Sequence, residues 1–129
     1  MSIKVVLHQS AVRSLSAWYD KRLLVETPIL KSSVFGWVFG LMNQAAVTVN
    51  RVIHLTGRPP GVDLTSISGI ALIGHELYHV KQQQEMGWWR FILRYMWYWR
   101  PKHITRGEEH PMEKDAYDRQ REIVSVLGG

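Results

Sequence analysis

The chain has 129 residues, a formal charge of +5 and no cysteine. That length suits one domain with a core of its own, and the lack of cysteine excludes disulfides, thiolate metal sites and cysteine nucleophiles. The basic residues are scattered, not gathered in one arm, which argues against a nucleic-acid partner and leaves an anionic membrane surface or an acidic protein.

Ile3 to Leu7 reads as a short strand. Met1 to Ser10 holds no apolar run of signal-peptide length, and the longest quiet apolar stretch, Val34 to Met42, is too short to span a bilayer. A cytoplasmic location, peripheral to a membrane if anything draws the chain there, is therefore expected. From Gln9 the positions Val12, Leu15, Trp18, Tyr19 and Leu23 recur at helical spacing, and Thr27-Pro28 ends that pattern. Ile29 to Leu41, punctuated by Gly36 and Gly40, fits either a strand or a short helix. Two β-branched runs, Ala46 to Val49 and Val52 to Leu55, flank Asn50-Arg51 and predict a hairpin in a small antiparallel sheet.

After the loop Arg58-Pro59-Pro60-Gly61, one of Asp63, Thr65 and Ser66 can cap a helix that runs through Ile67, Ile70 and Leu77 to Met86-Gly87. That helix carries His75-Glu76-Leu77-Tyr78-His79. Two histidines four apart on a helix lie about 6 Å apart along the axis on one face, so both imidazoles reach one zinc ion. Glu76 between them points to where a zinc-activated water would sit.

The next stretch, Trp88 to Trp99, holds four of the six tryptophans. Only Arg90 and Arg94 form a polar stripe on a helix that is otherwise apolar, so it is buried or faces something greasy. Core packing, an oligomer or partner surface, and membrane-surface contact through Trp88, Trp89, Trp97 and Trp99 are the three readings. Arg100-Pro101 breaks the pattern, and Pro111 suits the first turn of a last helix. In it Glu113, Ala116, Tyr117, Ile123 and Val124 follow roughly helical spacing on the inward side, whereas Lys114, Asp115 and Asp118 lie mostly outside.

A catalytic zinc has three protein ligands and one open position. His75 and His79 supply two. The metzincin continuation fails, because Gln82 and Glu85 stand where Gly and His are required. Glu113 is the favoured third ligand through its inward facing, with His103, Glu108, Glu109, His110 and Asp118 as competitors. His8 and His54 have no partner pattern and read as structural or surface residues. The plain alternative for Glu113 is a solvated carboxylate in a first turn, where the helix dipole favours it.

The stretches Gln44 to Val49, His75 to Gln82 and His110-Pro111-Met112-Glu113-Lys114-Asp115-Ala116-Tyr117 resemble the small gluzincin zinc peptidases. They are similar to the minigluzincins, and to the peptidase-like domain found with extracellular contractile injection systems, whose motif also reads H-E-L-x-H-V followed by glutamines. The resemblance implies zinc ligands at His75, His79 and Glu113, a general base at Glu76, and Ala116 as the small residue after the third ligand. It implies an α+β domain of minimal zincin type, with the motif helix under a small sheet. It also implies peptide-bond hydrolysis of a peptide or protein substrate. His110, Tyr117 and Tyr78 are candidates for stabilising the oxyanion, and a substrate could add as a strand beside Ala45 to Val49 or Val52 to Leu55. The competing expectation is a catalytically idle zinc-bearing interaction or carrier module assembled through the tryptophan helix.

Overall fold

The computed structural model describes residues 3–41, 45–57, 62–98 and 111–128. Strand β1 (Ile3–Val5) leads to helix α1 (Gln9–Leu15), which is capped by the His8 ring accepting from the Ser10 amide. The single helix expected from Gln9 to the stop at Thr27-Pro28 is two. The Ser16 hydroxyl donates to the Arg13 carbonyl, and the Asp20 carboxylate accepts from the Arg22 amide to start α2 (Lys21–Glu26). Short polar side chains here offer the backbone an alternative to continuing the helix. The break swings Tyr19 into the core, where its hydroxyl donates to the Gly74 carbonyl.

The undecided segment Ile29 to Leu41 contains both candidates in succession, β2 (Ile29–Lys31) and α3 (Val34–Leu41). The hairpin forms as expected, with β3 (Ala46–Val49) and β4 (Val52–Leu55) antiparallel. Asn50 and Arg51 take φ of 49° and 65°, the type I′ combination whose twist matches the flanking strands. The sheet order is β1-β2-β4-β3. It is mixed, not purely antiparallel, because β2 and β4 run parallel. The chain leaves β2 through α3, enters the far edge as β3, and the β3–β4 hairpin then brings β4 back beside β2 in the same direction.

The α+β class stands. Register places Thr48 and Ile53 opposite each other on one face of the hairpin and Val47 and His54 on the other. On the second face lies α3. Its N-terminal Ser33 hydroxyl meets His54 Nδ1 at 2.7 Å, and a Cβ on Gly36 would stand 2.6 Å from the Leu55 carbonyl oxygen. On the first face lies α4 (Ile67–Met86), followed by α5 (Trp88–Tyr98) and α6 (Pro111–Gly128). Leu15, Ile53, Ile73, Leu77, Val80 and Ile123 are almost wholly buried between sheet, α1, α4 and α6. Helix α6 packs along α4 closely enough that a Cβ on Gly74 would lie 2.3 Å from Ile123 Cδ1. Of the α6 positions expected inward, Val124 is 44% exposed. Ala116 and Ile123 are buried as expected, and Met112 joins them on the inward stripe.

Candidate metal centre

Helix α4 is fixed at both ends. The Ser66 hydroxyl accepts from the Gly69 amide, and Gly87, with φ of 83°, stops the helix where a left-handed residue is needed. Twenty residues between these caps keep His75, Glu76 and His79 in regular helical register, all at most 5% exposed. Pro111 starts α6 so that Glu113 falls in its first turn, facing α4.

Glu113 Oε1 lies 3.2 Å from His75 Nε2 and in direct contact with His79 Nε2. The three ligand atoms all fall within 4.8 Å of one another. Two donors on one tetrahedral zinc, with bonds of 2.0–2.1 Å, stand about 3.3 Å apart. The His75–Glu113 separation already matches that spacing.

Hydrogen bonding shows what this cluster needs. Gln82 Nε2 donates to the Met112 carbonyl at 3.2 Å, so its amide oxygen faces His79 Nδ1 at 2.8 Å. His79 must therefore donate through Nδ1, and its neutral form presents a bare Nε2 lone pair to the Glu113 carboxylate. A positive species has to lie between them, either a proton or a metal ion. Burial disfavours the His79 imidazolium, but Glu113, Glu76 and Gln82 outweigh burial and hold it up at about 9. Burial likewise opposes the Glu113 carboxylate, and the two histidines overcome it, pulling Glu113 well below the ordinary carboxylate range. His75 Nδ1 is buried with no hydrogen-bond partner among the described residues. The donor set of two imidazoles and a carboxylate fits zinc.

Glu76 points to the sheet. Its Oε2 accepts from the Thr48 hydroxyl at 2.8 Å, and the same hydroxyl lies 3.2 Å from the Glu76 carbonyl. Next to it, Gln83, 2% exposed, donates to the Thr48 carbonyl at 3.2 Å and accepts from the Arg51 amide at 2.6 Å. These bonds lash the hairpin to α4. Aromatic rings close the histidine face, with Tyr117 4.5 Å from His75 and Phe91 6.0 Å from His79, centroid to centroid.

The model of the eCIS core domain matches residues 40–87, which hold the β3–β4 hairpin and α4. Over that stretch the chain is similar to the eCIS core domain. No curated protein and no solved structure matches. The match agrees with the expected likeness to the domain found with extracellular contractile injection systems, and it includes His75, Glu76 and His79. It ends before α6, so Glu113 joins the set by geometry.

Of the rival third ligands, Asp118 faces solvent, paired with Arg121 and Lys114. His103, Glu108, Glu109 and His110 lie outside the described residues, as does Trp99. Tyr117 is at the site. Tyr78 is turned elsewhere, packing under the Arg119 guanidinium that also covers Tyr19. Sequence reasoning missed Thr48, Gln82 and Gln83. A hydroxyl on the inward side of an alternating strand, and two glutamines in the turn after the second histidine, were the available signals. The proposed substrate strand cannot pair with β4, which is interior to the sheet; β3 is the edge. Hairpin register turns the backbone groups of Ala46 and Thr48 outward, and Gln83 already occupies the Thr48 carbonyl.

Proposed function

We propose that the chain is a zinc-dependent metallopeptidase, with His75, His79 and Glu113 as ligands and Glu76 as general base. The observation that carries this reading is the placement of Glu76. A carboxylate 4% exposed sits one residue from a ligand, tethered through one oxygen to Thr48 on the edge strand. A buried carboxylate with a single hydroxyl donor among the described residues is poorly compensated as structure and well placed as a base.

Bound zinc would supply Lewis acidity and lower the pKa of water from 15.7 to about 7. Glu76 takes a proton from the attacking water as the new carbon–oxygen bond forms. It returns that proton to the leaving nitrogen as the carbon–nitrogen bond breaks. Thr48 holds Oε2, which leaves Oε1 for this transfer. Tyr117, packed on His75, and His110 are the candidates to donate to the developing oxyanion. A substrate strand has the outward groups of Ala46 and the Thr48 amide to pair with.

A second reading, a zinc-bearing interaction module without turnover, is favoured by the closure of the site. The side chains of His75, His79 and Glu113 are 6%, 7% and 12% exposed. One assay separates the two. Wild type and Glu76→Gln, both verified to carry zinc, are compared on casein and quenched peptides. The peptidase reading expects the variant to lose about 10²- to 10⁴-fold in rate. Equal background rates for both leave the interaction module.

A further inference from the structure

Among the described side chains, helix α5 meets the protein through Phe91 and Trp88. Phe91 is 4% exposed, lies against His79 and stacks on Trp88 at 6.3 Å. The other side presents Trp89 and Leu93, 74% and 67% exposed and one helical turn apart. Beside them Arg90 and Arg94, also four residues apart, are exposed. No acidic residue occurs between Trp88 and Tyr98.

We propose that this face of α5 docks on an anionic lipid bilayer, with the helix lying in the plane of the surface. A tryptophan and a leucine in one stripe suit the boundary between headgroups and acyl chains, and two adjacent guanidiniums suit the headgroup phosphates. The charge of the stripe is wholly positive, on a chain that is itself +5. Among the described residues no helix is long and apolar enough to cross a membrane, so the contact is one of surface. A protein partner is the weaker fit. A stable protein interface buries about 800 Å² per partner with close shape complementarity, whereas the described side chains of this face are two apolar groups beside two arginines, a narrow ridge. A bilayer receives a ridge without needing a matching groove. Because the opposite side of α5 carries Phe91 against His79, docking holds the metal centre about one helix diameter, about 10 Å, from the lipid.

The test is co-sedimentation of the full chain with vesicles of phosphatidylcholine alone and of phosphatidylcholine mixed with phosphatidylserine. Wild type binds the mixed vesicles and not the neutral ones, and added salt weakens binding. Trp89→Ser/Leu93→Ser abolishes binding while zinc content and melting temperature stay at wild-type values. Arg90→Gln/Arg94→Gln lowers partitioning by roughly 20- to 30-fold, at about fivefold per arginine. Absence of wild-type binding to mixed vesicles overturns the proposal, and so does a serine double variant that still binds. A wild-type dimer that ignores vesicles and falls apart on Trp89→Ser/Leu93→Ser would also overturn it, assigning the face to a second copy. Binding is read without turnover, so Glu76→Gln binds vesicles like wild type whatever the outcome of the peptidase assay.

Discussion

Helices α4 and α5 are separated by the single residue Gly87, and each departs from the hydrophobic rule in the opposite direction. Helix α4 buries His75, Glu76, His79 and Gln83; α5 leaves Trp89 and Leu93 in water. Buried polar groups cost free energy unless bonded, and exposed large apolar groups forgo a gain. Each departure therefore marks a place where folding alone does not explain the residue. In α4 the polar groups have found one another and the elements on either side. In α5, Trp89 and Leu93 have found nothing among the described residues, which points outside the chain for their partner.

The sharpest way to break this contrast is Glu113→Ala. Glu113 is the carboxylate that both buried histidines face, and removing one partner of a buried charged set costs about 3–5 kcal/mol. Urea unfolding of the metal-free protein would show that loss, and calorimetry would show weakened zinc binding. Unchanged zinc affinity would place the third ligand elsewhere. The pH dependence follows from the same contacts. His79, raised from 6.5 to about 9, gives stability that is complete below 6.5 and lost as pH rises through about 9. Glu113, lowered from 4.5, gives stability present above 4.5 and lost as pH falls. The metal-free protein is thus best served between about 4.5 and 6.5, and Glu113→Ala flattens both limbs. Zinc held as proposed would have to displace the His79 proton, so its apparent affinity is expected to rise with pH up to about 9.

A smaller effect is expected at Gln82, which touches the proposed ligand His79 without being one. Its amide fixes the His79 tautomer from one end and holds the Met112 carbonyl from the other. Outer partners of this kind are worth about 10- to 100-fold in metal affinity. Gln82→Ala should lose that much in a competition titration while the fold is kept, and Gln82→Glu, which preserves an acceptor for Nδ1, should recover part of it. A Gln82→Ala variant with wild-type affinity would show that α4 alone orients His79.

How far these features were legible depended on whether their cause was local. Caps, hairpin turn and motif helix were, because Ser66, Asn50-Arg51 and the i, i+4 histidines act within a few residues of themselves. The split between α1 and α2 was missed because apolar spacing continued through a region where Ser16 and Asp20 capture the backbone. The parallel pairing of β2 and β4 was invisible, since it depends on α3 carrying the chain past to the edge strand β3 before the hairpin returns β4, and Ile29 to Leu41 reads equally as strand or helix. Glu113 could be suspected from its facing. Thr48, Gln82 and Gln83 were passed over although an inward hydroxyl and two glutamines beyond His79 were on view, because nothing in their own stretches names the partners 28 to 35 positions away.

The smallest expected effect tests the comparison most directly, because it uses one substitution in both helices. Leu77 on α4 is 1% exposed and Leu93 on α5 is 67% exposed. Leu77→Ala opens a cavity between sheet and helices and should cost about 2–5 kcal/mol. Leu93→Ala removes a side chain already in water and should change stability by no more than about 0.5 kcal/mol. Urea midpoints of the isolated protein read both. A large loss at Leu93 would mean that α5 contributes that face to the fold, and its exposure would then no longer argue for a partner. A null effect in solution, beside a lower partition onto anionic vesicles, would place the role of Leu93 wholly at the surface it meets.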